Sequence, residues 1–189
     1  MSARATPAPG WRPLDLWRTV AGLAVVLGGA GALLAALDAV PTWIAGESRD
    51  VRRVAGVEEA ERRLRVRLLL PGYFPDSIAW PPSAVRVAAG DPGGAALDFE
   101  GRRGGPHMLL AQAARPGAVP PRLVPAATVL DEGATWLGGV RVPLRRIVGP
   151  DGHVWRELVW MQKGRQVVLR SRGSVEEMMR MARTTRDEP

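Results

Sequence analysis

The sequence predicts an α+β protein in which an N-terminal transmembrane helix precedes a curved antiparallel sheet covered by helices. Three observations support this fold class. Residues 19–37 contain no charged side chain. Beyond them, short apolar or alternating segments of strand length are separated by Gly- and Pro-rich turns. Helical patterns stand at both ends of this strand-rich region, and a chain of 189 residues leaves room for one ordinary domain.

The apolar segment has the length of a membrane span. Its roughly 19 residues make about 28 Å of helix, close to the hydrocarbon thickness of a bilayer. A cleavable signal peptide has a shorter apolar region followed by a small-x-small site. Here Leu37 occupies the position that must be small for cleavage after Ala39. We therefore predict a retained transmembrane helix over residues 19–40, with cleavage at residues 30–32 as the alternative.

The charges beside this segment predict its orientation. Arg4, Arg12 and Arg18 with Asp15 precede it, whereas Asp38, Glu47 and Asp50 with Arg49 follow it. The positive-inside rule then places the N-terminus in the cytoplasm and the C-terminal domain outside the cell membrane. Tryptophans at 11, 17 and 43 bracket the span, as headgroup-level rings do. The predicted divisions are a cytoplasmic arm (1–18), the transmembrane helix (19–40), a juxtamembrane linker (41–53), an extracytoplasmic α+β domain (54–185) and a tail (186–189).

Small residues recur at every fourth position of the apolar segment, at Ala24, Gly28, Ala32 and Ala36. Such a stripe lets a second helix approach closely, so these four residues are candidates for helix packing in a dimer or a larger membrane complex. The alternative is that an Ala- and Gly-rich composition produces the stripe by chance. No polar residue supports it.

The first half of the predicted domain combines one helix with several strands. Residues 57–64 are acidic in the first turn and basic later, which suits the dipole of a short helix. Residues 65–70 begin with alternating charged and apolar side chains and predict a strand that Pro71 and Gly72 end. Further strands are predicted at residues 84–88, 95–100 and 107–113, separated by turn sequences.

The second half predicts an antiparallel meander closed by a helix. Four prolines in residues 115–125 lack the N–H that a strand needs and predict a stiff surface loop. Ser174 and Glu177 form a capping box that begins a helix, and its apolar residues share one face. That helix would cover the apolar face of the sheet. The strands between the loop and the helix are predicted at residues 126–130, 139–148, 153–161 and 165–171.

The two ends of this domain resemble a bacterial extracytoplasmic domain of unknown function. The sequences VEEA at 57–60 and LLLPGYFPD at 68–76 resemble the opening of that family. Leu158-Val159-Trp160, Gly164, Val167, Leu169 and the sequence GSVEEM at 173–178 resemble its last hairpin and closing helix. The family occurs at the outer end of anti-sigma-factor-like and sporulation-associated membrane proteins.

The resemblance covers residues 54–185 and implies a half-barrel similar to the outer-membrane lipoprotein carrier and to the periplasmic sensor domain of envelope-stress regulators. A fold resemblance transfers no chemistry. One departure is important. Anti-sigma proteins carry a cytoplasmic sigma-binding domain, whereas the arm at residues 1–18 is too short to fold as one, so direct sigma-factor sequestration is not expected.

Composition and motifs argue against several function classes. The formal net charge of +7 comes almost entirely from arginine in an Ala-, Gly- and Pro-rich chain, a pattern typical of coding bias in a high-GC genome. No basic run is interleaved with aromatic residues, so we predict no nucleic-acid binding. The chain has no cysteine, and its two histidines, His107 and His153, do not have metal-ligand spacing. Ser171, His153 and Asp151 lack a nucleophile elbow, and no Gly-rich loop has the form of a phosphate site. We therefore predict no catalytic residue, metal or cofactor, and no enzymatic activity.

Apolar residues remain as candidates for binding. Tyr73, Phe74 and Trp80 lie between prolines that hold their loop at the surface, and we predict that they form the rim of a ligand or partner site. The predicted function is a single-pass, membrane-anchored extracytoplasmic binding or sensor domain for a protein partner or an envelope signal. The alternatives are a membrane-tethered carrier of lipid or another hydrophobic ligand, and an accessory subunit of a larger membrane complex.

Overall fold

The computed structural model describes residues 50–186 and contains a mostly antiparallel sheet with two helices. The helices are α1 (Val57–Leu64) and α2 (Val175–Thr184). The strands are β1 (Val51–Val54), β2 (Leu70–Pro71), β3 (Ala84–Ala88), β4 (Gly94–Glu100), β5 (Pro106–Ala113), β6 (Thr128–Leu137), β7 (Val140–Val148), β8 (Val154–Gln162), β9 (Arg165–Ser171) and β10 (Thr185–Arg186). Eight strands form one open sheet in the order β1-β3-β4-β5-β9-β8-β7-β6, and β2 pairs with β10. The predicted α+β class with an antiparallel sheet is confirmed.

Local sequence signals predicted most elements well. Helix α1 and strands β3 and β9 have the predicted bounds. Strands β4, β5 and β7 differ from prediction by one residue at one end, and β8 is shifted by one residue at both ends. Helix α2 begins at the predicted capping box, where Ser174 Oγ accepts a hydrogen bond of 3.1 Å from the Glu177 N–H. These elements agree because caps and turns are determined by neighbouring residues.

The strand predicted at residues 65–70 is wrong, since only Leu70 belongs to a strand. Arg65 adopts a left-handed conformation with a φ of 56° and ends α1. Leu68 and Leu69 are consecutive and both buried, which the alternation of a half-buried strand does not allow. The backbone of this segment is bonded by distant side chains instead: Leu68 N–H donates to Glu61 Oε1, and Leu69 N–H donates to Gln112 Oε1.

Three other segments also differ from prediction. Of the strand predicted at residues 126–130, only residues 128–130 belong to β6, which continues to Leu137. Residues 51–53, predicted as linker, pair with β3 as part of β1. The predicted surface loop at 115–125 contains a 3-10 turn, Pro121–Leu123, and Leu123 is fully buried. An apolar side chain in a proline-rich segment can therefore anchor that segment to the sheet.

The sheet has a large core on one face and a small one on the other. The face covered by α1 and α2 is called the inner face here, and it buries the largest cluster of apolar side chains. Met178 and Met181 of α2 and Ala60 of α1 join that cluster. On the outer face, Leu123 and Val119 cover a smaller cluster. The inner cluster extends as far as Val142 on β7, whereas β6 contributes no fully buried side chain.

The hairpin of β6 and β7 curves over the end of α2. Strand β6 contacts α2, and Leu137 at the hairpin tip packs against the inner core. The turn consists of Gly138 and Gly139, with φ angles of 56° and 82°. Two positive φ angles define a type I′ turn, which matches the twist of a two-residue hairpin and which glycine adopts without strain. This tight turn therefore places β6, the last strand of the sheet, in contact with α2.

The predicted membrane helix and its candidate packing residues Ala24, Gly28, Ala32 and Ala36 lie outside the described residues. Within residues 50–186, neither helix has the length and apolar character needed to cross a bilayer.

Candidate functional site

The predicted aromatic rim is divided between two contacts. The ring centroids of Phe74 and Trp80 are 5.3 Å apart, and both rings pack near Phe99 at 5.5 and 6.0 Å. Trp80 remains 56% exposed. Tyr73 lies instead under the guanidinium of Arg180 on α2, whose carbon is 4.0 Å from the ring centroid. The structure thus brings Phe74 and Trp80 together and directs Tyr73 to a cation–π contact with the helix.

The polar residues considered for chemistry are engaged in turns. Ser171 Oγ accepts a hydrogen bond from the Gly173 N–H, and the Asp151 carboxylate accepts one from the His153 N–H. Burial acts to raise the pKa of Asp151, but the bonds from the His153 N–H and the Trp155 indole hold that pKa below its usual value. In the described part of the chain, no three His, Asp or Glu side chains are grouped as metal ligands.

A cavity of about 330 Å³ lies on the outer face beside Trp155. Asp98 and Arg170 line it together with Pro125 and Pro150. Arg170 is already engaged, since it donates to the Pro125 carbonyl at 2.6 Å and to Glu157. Asp98 likewise accepts two hydrogen bonds from Arg86. Both charged side chains therefore already have partners within the fold.

A larger cleft of about 500 Å³ opens where β7 and β8 separate. The ladder between these strands runs from Val148↔Val154 to Leu144↔Leu158 and then stops. By this register the next pair would be Pro143 with Val159, and proline has no N–H to donate. The cleft is lined from β7 by Val140, Arg141, Val142 and Pro143, from β8 by Val159, Trp160, Met161 and Gln162, and from α2 by Ala182 and Arg183.

The base of the cleft is hydrogen-bonded and its charge is positive. Gln162 accepts a bond from the Trp160 indole N–H at 3.0 Å and donates to the Thr185 carbonyl at 2.7 Å, which joins β8 to the end of α2. Arg141 and Arg183 are exposed at the cleft, and the residues between 50 and 186 that line it include no carboxylate. The cleft therefore combines apolar walls with two cations.

Strand β6 forms one edge of the sheet and, among the residues that the structure describes, pairs only with β7. It has ten residues, nearly all exposed, and its large apolar side chains Val129, Leu130 and Trp136 are at least half exposed. Natural proteins usually protect an edge with short strands, lysine or proline, because its free N–H and C=O groups can pair with another chain. One bulge at Leu130 interrupts the register of β6, and the remainder is regular.

The turn geometry shows which backbone groups of β6 face away from the sheet. A turn closes with the bond from the Val140 N–H to the Leu137 carbonyl, so these two residues form a hydrogen-bonded pair. Hydrogen-bonded and non-hydrogen-bonded pairs alternate along an antiparallel ladder. The pair Ala134↔Pro143 is then non-hydrogen-bonded, which agrees with the missing N–H of proline. The N–H and C=O groups of Glu132, Ala134 and Trp136 consequently point outward, toward the free edge.

A ladder of alternating charges crosses the outer face and ends on this edge. Glu132 on β6 contacts Arg145 on β7 at 3.1 Å, and Arg145 lies 3.5 Å from Glu157 on β8. Glu157 contacts Arg170 on β9 at 2.7 Å. The hydrogen bond accepted by Glu132 is the main reason that the pKa of Arg145 lies above its usual value. Acid and base thus alternate across four neighbouring strands.

The β6 edge was missed by the sequence prediction, although a signal existed. Gly138-Gly139 between two alternating segments is a strong indication of a two-residue hairpin. That turn alone would have paired Glu132 with Arg145 and extended the strand through Trp136. The shorter strand was predicted because β6 buries almost no apolar surface, so its pattern resembles that of a loop.

No protein-family model, curated protein sequence or solved structure matches the chain.

Proposed function

We propose that the chain is a single-pass, membrane-anchored extracytoplasmic domain that binds a protein partner and has no enzymatic activity. The observation that carries this proposal is the ten-residue edge strand β6, whose outward side has no strand partner within residues 50–186 and whose apolar side chains are exposed. The proposal includes the half-barrel form, the predicted transmembrane helix and the resemblance to domains of anti-sigma-factor-like membrane proteins. An envelope signal would act by changing what the domain binds.

Strand addition is the mode of binding that this edge supports. In strand addition, an extended segment of the partner bonds to the free backbone groups of a sheet edge, and alternate side chains determine specificity. Glu132, Ala134 and Trp136 present three N–H and three C=O groups along this edge, and all three side chains are exposed. The regular part of β6, beyond the bulge, is long enough for several such bonds.

Site-specific crosslinking in the producing cells tests the proposal. Benzoylphenylalanine is placed at position 136, where an aromatic ring already stands, and at position 103 as an exposed control in the turn after β4. We expect a discrete crosslinked protein from position 136 alone. A crosslink pattern shared by both positions, or no product at position 136, would contradict the proposal.

A second variant shows whether the backbone of the edge is used. Ala134→Pro removes an N–H that faces outward, so the bonds between β6 and β7 remain intact. Ala134→Thr is the matched control because it keeps the N–H and suits a strand. We expect the crosslink from position 136 to be lost with proline and kept with threonine. Equal crosslinking in the two variants would argue against strand addition.

The membrane placement has its own test. We expect the full-length protein to remain in membranes after carbonate washing, and a C-terminal tag to be digested by protease added outside the inner membrane. Release into the supernatant, or a protected tag, would contradict the anchor or its orientation.

The cleft favours one alternative function, a membrane-tethered carrier of a lipid or another hydrophobic ligand. Its apolar walls suit an acyl chain, and Arg141 and Arg183 suit an anionic head group. Native mass spectrometry of the detergent-purified full chain would show such a ligand. We expect the bound mass to disappear in the double variant Arg141→Gln, Arg183→Gln and to persist in the control Arg102→Gln, Arg103→Gln. An unliganded wild-type protein would dispose of this alternative.

A further inference from the structure

The charge ladder of the outer face indicates what the β6 edge binds. Resting on the function proposed above, we infer that β6 takes an extended protein segment that places a lysine or arginine beside Glu132 and an apolar side chain beside Trp136. In an antiparallel arrangement the apolar residue comes four positions before the basic residue, because Glu132, Ala134 and Trp136 share one face.

The two carboxylates of the ladder differ in their number of basic neighbours. Glu157 lies between Arg145 and Arg170, and its side chain is only 9% exposed. In the described part of the chain, Glu132 forms an ion pair with Arg145 alone, through Oε1, and its side chain is 54% exposed. Within residues 50–186, its second oxygen accepts no hydrogen bond. A basic side chain on an added strand would occupy, beside Glu132, the place that Arg170 occupies beside Glu157.

The charge of the strand itself points the same way. Strand β6 contains Asp131 and Glu132 and no basic residue, in a chain whose formal net charge is +7. A second copy of β6 would bring two further carboxylates and no cation to the same edge, and like charges across paired strands are destabilising. Charge complementarity therefore favours a basic segment of another protein over a second copy of this chain.

The neighbours of Glu132 define the rest of the sequence preference. Trp136 is 65% exposed and lies on the same face, two strand periods away. A directly opposed aromatic or β-branched side chain would cover part of its ring, which is a favourable cross-strand pair. The position opposite Ala134 lies between the two and suits residues of any size.

Binding of two labelled synthetic peptides tests the inference on the full-length protein in detergent. Each probe has nine residues of alternating Thr and Val with Trp at the third position, and the seventh position is Lys in one probe and Glu in the other. Opposite-charge and like-charge cross-strand pairs differ enough that we expect the Lys probe to bind about fivefold more tightly by fluorescence anisotropy. The preference should weaken in about 0.5 M salt, because the pair is exposed.

Two charge variants determine whether Glu132 causes the preference. Glu132→Gln should reduce the ratio between the probes to about one, since it removes the last acid of the ladder. The control Glu58→Gln removes an exposed acid from α1, and we expect it to leave the ratio unchanged. A wild-type ratio near one, a ratio that survives Glu132→Gln, or a reversed probe (Lys at the third position and Trp at the seventh) that binds as well as the original would overturn the inference.

The same assay distinguishes failure of this inference from failure of the proposed function. Binding of both probes with equal affinity, lost with Ala134→Pro and kept with Ala134→Thr, would leave the edge as a binding site and remove its charge preference. Binding that is unaffected by Ala134→Pro, or the absence of binding by either probe, would contradict the use of the edge itself. A homodimer crosslinked through position 136 would also overturn the inference, because it would identify a second copy as the occupant.

Discussion

Replacing Gln112 by leucine should destabilise the domain strongly, because this side chain replaces a missing strand partner. Gln112 lies on the inner face of β5 and is 0% exposed. Its Oε1 accepts a hydrogen bond from the Leu69 N–H at 2.7 Å, and its Nε2 donates to the Leu69 carbonyl at 3.0 Å. One amide side chain thus satisfies both backbone groups of a buried residue.

The magnitude follows from what leucine leaves behind. Gln112→Leu removes two hydrogen bonds and leaves the N–H and C=O of Leu69 buried without partners, and each such group costs about 1–3 kcal/mol. Added apolar burial offsets about 1 kcal/mol of that loss. We expect the free energy of unfolding to fall by about 3 kcal/mol, a large fraction of the roughly 5–15 kcal/mol typical of a domain.

Urea unfolding of the full-length protein, followed by tryptophan fluorescence, measures this loss. Gln166→Leu is a matched control, since Gln166 is half-buried on the outer face and accepts a single bond, from the Val119 N–H. We expect the control to lose about 1 kcal/mol and the slope of the free energy against urea to stay unchanged in both variants. A loss from Gln112→Leu that does not exceed the control would refute this account of residues 65–70.

Three further predictions follow from the same contacts. Glu157→Gln should lower the free energy of unfolding by about 3 kcal/mol in urea titrations, because it leaves the nearly buried Arg170 without its carboxylate partner. A loss below about 1 kcal/mol would contradict this prediction. Burial and the charge of Arg172 hold the pKa of His107 below its ordinary value of 6.5. The unfolded chain therefore binds the proton first, and the free energy of unfolding should fall as pH decreases through about 6.5. His107→Gln should flatten that pH dependence, and an unchanged slope would contradict the prediction. Gly139→Ala should destabilise the hairpin by about 1 kcal/mol, read from thermal unfolding, because a φ of 82° is costly for alanine. No described residue lies within 4 Å of the added carbon, so the cost comes from the backbone alone, and an unchanged melting temperature would refute the prediction.

The elements that the sequence predicted correctly have local causes. Helix α2 depends on Ser174 and Glu177, three residues apart, and the strands of the meander are bounded by glycine and proline turns. The segment at 65–70 could not be predicted in this way. Its backbone partner, Gln112, is 43 residues away in the sequence and takes part through its side chain. No propensity or alternation encodes that contact.

The candidate site was predictable only in part, for a related reason. Aromatic residues between prolines indicated an exposed loop, and the structure shows Trp80 exposed there. The β6 edge carries little burial signal, so hydrophobic periodicity does not detect it. What identifies the edge is pairing information: Gly138-Gly139 sets the register, and that register places Glu132 beside Arg145. Charge patterns across a predicted hairpin are therefore informative where apolar patterns are weak.

Pro143 connects the two candidate sites. Because it lacks an N–H, it cannot pair with Val159, so the outer half of the β6–β7 hairpin separates from β8 and the cleft opens. The same residue faces Ala134 in a pair that needs no hydrogen bond, so the ladder between β6 and β7 continues to the turn. Pro143 is thus associated with the cleft between β7 and β8, while the pairing of β6 with β7 stays regular. A ligand in the cleft would contact the β7 side of this hairpin, and a strand added to β6 would contact its opposite side.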